Sequence, residues 1–356
     1  MDVPTIQEFI DVWLINQDPN EWLYVRGIED EKMPQIPQGV RGLEIRDCPN
    51  LKYIGNMPQL RFIHIYDSPV EEIDIPSSLR NLYLENTKVS YLFDLPDSLR
   101  TLYVYNMKNT THIELSSFPI GLRDLTLRNL EMSSLPNLPN ELLIVDLQEC
   151  KIQRLPRLPD SILYLDISST TVTNIDDLPE FLEELHIQNS CLSSLPELPS
   201  TLEILNCSMS TLREIPRLPL AFKELYCANM PFLKNLPGLP YGLLILSAYE
   251  NKQLTCLPYL PSTIKELYVD GTGIIILNNL PSSLEIVNMY NCPNLLISKG
   301  VGESISDYND RWNTLFKEKA ISACKMIKDE LLHVTWGPDH IMKYVNKYGR
   351  EILDDI

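Results

Sequence analysis

Tyrosines and carboxylates recur in this chain at steps of about 20 residues, always inside short segments that alternate with apolar residues. The tyrosines are Tyr66, Tyr83, Tyr103, Tyr105, Tyr164, Tyr226, Tyr249, Tyr268 and Tyr290. The acids are Glu44, Glu85, Asp124, Asp146, Asp166, Glu184, Glu224, Glu266 and Asp270, against which stand only Arg46 and Arg128. Such a set suits recognition. Tyrosine offers broad contact area for little lost rotamer entropy, and carboxylates pair with Lys or Arg of a partner. Catalytic and metal chemistry finds no comparable pattern. The histidines, His64, His112, His186, His333 and His340, are dispersed, with no His-x-x-x-His or Cys-x-x-Cys spacing, no glycine-rich phosphate loop and no nucleophile elbow. No enzyme activity, cofactor or metal is expected.

The elements that must position these residues are set by a repeat. Thirteen copies of one pattern close on Pro37, Pro58, Pro76, Pro96, Pro119, Pro139, Pro159, Pro179, Pro199, Pro219, Pro240, Pro261 and Pro281. Six residues after each proline of the regular copies comes an apolar-polar-apolar triplet, as in Leu82-Tyr83-Leu84, Leu165-Asp166-Ile167 and Leu185-His186-Ile187. This is the pattern of a leucine-rich repeat solenoid, in which each copy is too short to bury its own apolar residues and stacks on its neighbours. The apolar residues of the triplet go inward, and the polar residues line one face of a curved parallel sheet. Thirteen strands at a spacing of about 4.8 Å span on the order of 60 Å.

Two residues past the second inward position stands a short polar residue in most copies: Asp47, Asp67, Asn86, Asn106, Asn129, Asn189, Asn229 and Asn291. These are expected to form a ladder satisfying turn amides that the strands leave unpaired. The return path carries the doubled form seen in Leu135-Pro136-Asn137-Leu138-Pro139 and Leu195-Pro196-Glu197-Leu198-Pro199. Proline fixes an extended backbone and removes a donor, so the convex side is expected to be polyproline II-like, neither helix nor central strand.

On these repeats the chain resembles the short leucine-rich repeat proteins of the bacterial effector type, the YopM- and IpaH-like group; similar proline-bearing repeats occur in giant DNA viruses. The resemblance covers roughly residues 20 to 298 and implies a scaffold whose partner varies from member to member. IpaH-like members carry a ubiquitin ligase domain with a cysteine two residues before an aspartate. Here residues 299–356 are too few for it and no cysteine has that spacing, so ligase activity is not carried over.

The formal net charge of -18 disfavours duplex nucleic acid, whose phosphates need a basic footprint, and steers a basic protein partner toward the chain. Met1 to Gln17 lacks the basic start of a signal peptide, and no apolar run reaches membrane-spanning length. The eight cysteines are scattered and read as reduced, pointing to a cytoplasmic setting, the host cytoplasm for a delivered effector or viral protein. The expected organisation is an N-terminal capping helix over 1–19, the solenoid over 20–298 and a C-terminal helical cap over 299–356. In the last, one amphipathic helix runs from Ile305 to Leu331 and a second carries Ile341, Tyr344, Tyr348 and Ile352.

The candidate binding residues are those facing out from the strands. One patch is Phe62, His64, Tyr66, Tyr83, Tyr103 and Tyr105; an acidic middle is Asp146, Asp166 and Glu184; a second tyrosine patch is Tyr226, Tyr249, Tyr268 and Tyr290. The same tyrosines also suit a sheet that stacks rings only to stabilise itself. The leading functional expectation is a protein-interaction scaffold, a pathogen or viral protein acting on host factors. A structural component, for example of a virion, self-associating through edges or C-terminal helices is the second. An enzyme with an unreadable site is the third. An insertion at Lys108-Asn109-Thr110-Thr111-His112 reads as a loop of the kind often found near a binding face, or as a bulge of the return path with no role, the reading favoured here.

Overall fold

The computed structural model describes residues 5–16, 21–106 and 113–331, with the side chains of 15–16 and 323–331 excepted. The 108–112 insertion and the second C-terminal helix lie outside the described residues. One parallel sheet of 14 strands follows chain order from Trp22–Arg26 to Ile286–Asn288. Thirteen of these are the strands led by the repeat prolines. The fourteenth, Trp22–Arg26, forms the first edge in register with Gly42–Arg46 and has no proline at the repeat spacing before it.

Side chains alternate across this sheet as the triplets require. In Asn81–Glu85, Leu82 and Leu84 are fully buried while Asn81, Tyr83 and Glu85 are half-buried. The inward residues of all rungs join one continuous apolar core, so no single repeat closes a core by itself. Cys207 and Cys227 take inward positions in that core, and burial pushes the Cys207 thiol up to about 12.

The turn after each strand departs from the expected ladder in a specific way. Asp47, Asp67, Asn86, Asn106, Asn129, Asn189, Asn229 and Asn291 all sit in the left-handed backbone region, with φ between 47° and 55°. Asn and Asp tolerate this conformation best among residues with a Cβ. Their side chains bond one another along the surface, as Asn86 to Asp67 at 2.6 Å, Asn106 to Asn86 at 2.6 Å and Asn129 to Asn106 at 3.0 Å. Buried polar groups are satisfied one residue later in several rungs, although the Ser190 and Ser210 hydroxyls at that position have no hydrogen-bond partner among the described residues. There the Cys48 amide donates to Ser68 Oγ (3.0 Å), the Thr170 hydroxyl to the Ile167 carbonyl (2.8 Å) and the Thr272 hydroxyl to the Val269 carbonyl (2.7 Å). Asn251 does most: its Oδ1 accepts from the Met230 amide at 2.8 Å, and its Nδ2 donates to the Cys227 and Ala248 carbonyls at 2.7 and 2.8 Å. Cys150 and Cys292 share this position, each thiol donating to a carbonyl of the preceding rung.

The expectation that the return path holds no central strand fails in the first rungs, where Tyr53–Ile54 lies between two others. Lys32–Met33, Tyr53–Ile54 and Glu72–Ile73 make one short parallel sheet, and Tyr91–Leu92 pairs with Glu114–Leu115. Proline accounts for the difference in several later rungs. The Asp74 amide, seven residues past the left-handed Asp67, donates to the Ile54 carbonyl at 2.8 Å. At the same count in later rungs stand Pro136, Pro156, Pro196 and Pro216, which have no N–H to give.

Helix α1, Ile6–Asn16, opens with half of a capping box: the Thr5 amide donates to Glu8 Oε2 at 2.8 Å. It buries Ile6 and Ile10 in the core at the Trp22–Arg26 end. Helix α2, Ile305–Leu331, is capped by Ser304, whose Oγ accepts from the Asp307 amide at 3.1 Å. Its Tyr308 is fully buried and donates to the Leu277 carbonyl at 2.5 Å, while the Asn309 side chain bonds both the amide and the carbonyl of Leu280 at 3.0 and 2.9 Å. Among the described residues no helix is long and apolar enough to cross a membrane.

Candidate protein-binding face

Strand register sorts the outward residues into columns. The central column runs Tyr24, Glu44, His64, Tyr83, Tyr103, Thr126, Asp146, Asp166, His186, Asn206, Tyr226, Ser247, Tyr268 and Asn288, each beside the next.

At the N-terminal end the expected patch is brought together and is larger than the sequence suggested. Trp22 stacks on Tyr24 and Phe62, with ring centroids 6.0 and 5.5 Å apart, and lies 5.0 Å from His64. His64 is 4.4 Å from Tyr83, which stacks on Tyr103 at 5.1 Å. The Arg46 guanidinium covers the Tyr66 ring at 4.2 Å, a cation-π contact. Gly42 makes the first part possible: it separates Trp22 from Phe62, and a Cβ there would meet the indole at 2.3 Å. Burial holds His64 below its ordinary pKa, and its Nε2 is buried with no hydrogen-bond partner among the described residues. Tyr105 occupies the neighbouring outward column beside Glu85 and Arg128. Trp22 and Tyr24 escaped the sequence reading because no proline announces their strand; the alternation in Trp22-Leu23-Tyr24-Val25-Arg26 was the available signal.

The acidic middle does not have the expected exposure. Asp146 and Asp166 are only 3% and 2% exposed. Asp146 pairs with Arg128 (Nε to Oδ2, 2.7 Å) and accepts from the Gln148 amide at 3.2 Å. Asp166 accepts from the Ser168 amide at 2.8 Å, from the Tyr164 hydroxyl at 3.3 Å and from the Gln148 side chain. Their carboxylates are turned down into the strand ends, where short side chains satisfy the backbone two residues on. Glu184 remains accessible, with His186 Nε2 3.5 Å away.

The second tyrosine patch is spread out rather than stacked. Ser247 separates Tyr226 from Tyr268, and Asp270 separates Tyr249 from Tyr290. The Tyr226 and Tyr268 hydroxyls donate to Glu224 and Glu266 at 2.8 and 2.9 Å, which raises both phenols; burial is the larger cause for Tyr226 and the hydrogen bond for Tyr268. Tyr249 and Tyr290 are exposed. Among the described residues no cluster of His, Cys, Asp and Glu is arranged to hold a metal ion.

Among solved structures, the fold is similar to YopM from Yersinia enterocolitica WA-314, 25% identical, covering 80% of this chain and 67% of that chain with a TM-score of 0.62. It is also similar to YopM from Yersinia pestis, described as a leucine-rich effector protein, 22% identical, covering 80% of this chain and 92% of that chain with a TM-score of 0.64. No protein-family model and no curated protein matches the chain. The structure is a leucine-rich repeat solenoid similar to those of these proteins, and an architecture of this kind serves as a protein-interaction scaffold.

Proposed function

We propose that the concave sheet face binds a protein partner in the cytoplasm, the host cytoplasm for a delivered protein, and that the aromatic tract from Trp22 to Tyr103 is the centre of contact. The observation that carries this reading is the continuity of the rings across adjacent rungs. A rigid, already ordered aromatic surface loses little freedom on binding. The surplus of acid in the chain favours a basic partner by steering its approach. Neither catalysis nor a cofactor enters the proposal, and the helical ends serve as caps to the core.

The test is affinity capture with the purified protein, its partner identified by mass spectrometry, repeated with Tyr83, Tyr103 and Tyr105 changed together to Ser. The expected result is a stoichiometric protein lost from the triple variant and weakened by salt, with the fold intact by circular dichroism. Unchanged capture by the triple variant rejects the aromatic tract as the contact. Recovery of the protein alone, in a concentration-dependent assembly, turns the assignment to self-association.

A further inference from the structure

The C-terminal half of the concave face repeats with a period of two rungs rather than one. In the outward column that precedes the inward triplet, directly paired strand positions read Glu184, Ile204, Glu224, Ile245, Glu266, Ile286. Beside each glutamate stands a ring, His186, Tyr226 or Tyr268; beside each isoleucine stands Asn206, Ser247 or Asn288. The Tyr226 and Tyr268 hydroxyls hold Glu224 and Glu266 in fixed orientation, at 2.8 and 2.9 Å. The lysines next in sequence are engaged elsewhere, Lys223 with Glu203 and Lys265 with Glu285 at 2.5 and 2.8 Å. Among the described residues no Lys or Arg pairs with Glu184, Glu224 or Glu266.

Strands lie about 4.8 Å apart, so the three carboxylates are spaced at about 9.6 Å, with an aliphatic seat between each pair. A partner that matches them needs cations on one face at that interval. A polyproline II helix has three residues per turn and rises about 3.1 Å per residue, which places every third side chain on one line at about 9.3 Å. An α-helix read at every seventh residue gives about 10.5 Å, so its cations fall out of step by nearly 2 Å over three carboxylates. A strand read at every second residue gives about 6.7 Å and misses them.

Resting on the reading of the concave face as the binding surface, we infer that its C-terminal half docks a polyproline II segment of a protein partner. That segment carries Lys or Arg at every third position and runs along the solenoid axis. Its cations meet Glu184, Glu224 and Glu266, and its proline rings pack on Ile204, Ile245 and the faces of Tyr226 and Tyr268. A segment already in this conformation loses little entropy on docking.

The probes are labelled peptides with four lysines each, Ac-(Pro-Pro-Lys)4, Ac-(Pro-Lys)4 and Ac-(Pro-Pro-Pro-Lys)4, titrated by fluorescence anisotropy at fixed salt. The three-residue spacing is expected to bind about ten-fold tighter than the other two. Glu224→Gln with Glu266→Gln should remove most of that advantage, since two partly exposed ion pairs together account for about ten-fold. The Tyr83, Tyr103 and Tyr105 variant should leave peptide binding unchanged. Equal affinity for all three spacings, or indifference to the two glutamine substitutions, overturns the inference. If no peptide binds while captured protein is still lost from the tyrosine variant, this inference fails and the aromatic contact stands; if peptides bind with the expected spacing while that variant loses nothing, the reverse holds.

Discussion

Rungs up to Arg128 and rungs from Ile144 onward belong to one sheet, yet they are held together differently. The first six strands are five residues long, the return paths of the first five pair as short strands, and their outward face carries a run of touching rings. The last eight strands are three residues long, and their returns, five of them with a second proline, make no ladder pairing. Their strands end early because a turn starts at the second inward residue, as where the Cys150 amide donates to the Leu147 carbonyl at 3.2 Å. Asp146, Asp166 and Asn206 each serve the amide two residues on. One inward pattern therefore supports two designs, one resting on rings and backbone pairing, the other on prolines and buried side-chain hydrogen bonds.

The largest expected effect strikes the second design. Asn251→Ala removes three buried hydrogen bonds and leaves two carbonyls and an amide without partners, which costs about 3 kcal/mol. Urea denaturation measures it, and a loss below about 1 kcal/mol would break the contrast between the halves. Gly42→Ala strikes the first design by driving a methyl group into the Trp22 ring. The expected cost is about 1–2 kcal/mol with a changed near-ultraviolet circular dichroism spectrum, because Trp22 must leave Phe62 and His64.

A smaller effect, of opposite sign, comes at the turns. Met209 holds φ at 58° with no side-chain amide to support it, so Met209→Gly should stabilise the chain by about 1 kcal/mol. Asn86→Gly should gain less, since it discards bonds to Asp67 and Asn106. Equal gains at the two sites would show that neither asparagine's tolerance of this backbone nor the surface ladder contributes. The smallest effect is a pH dependence of the aromatic tract. His64 is held below its ordinary value of 6.5, so the unfolded chain takes up the proton first as pH falls. Stability is fully present above about 6.5 and declines as pH drops from there through the folded value. The melting temperatures of the native chain and His64→Phe should differ by a constant amount above that pH and by a changing amount below it, the variant losing less.

Much of the architecture was legible in the residues. The period, the inward triplets and the thirteen proline-led strands follow from spacing alone, because a half-buried strand must alternate. The edge strand at Trp22–Arg26 was not, for want of its proline, and with it went the anchor of the aromatic tract. A surface ladder forms at the expected residues, but the bonding of buried turn groups was displaced by one residue because two neighbouring short polar residues, such as Asp67 and Ser68, look equally suited to bond a turn. Only backbone conformation separates the one that accepts φ of 47° from the one that is buried.

The solenoid, its inward face and the list of residues that could point outward follow from the residues alone, since these depend on local periodicity and on repeated stacking of like on like. Tertiary structure decided what those outward residues do. It turned Asp146 and Asp166 into buried partners of the strand ends, joined Trp22, Phe62, His64, Tyr83 and Tyr103 into one surface, and aligned Glu184, Glu224 and Glu266 on alternate rungs. The physical reason is that exposure and side-chain pairing arise between rungs, from the register of strands about 20 residues apart in the chain, whereas periodicity arises within them.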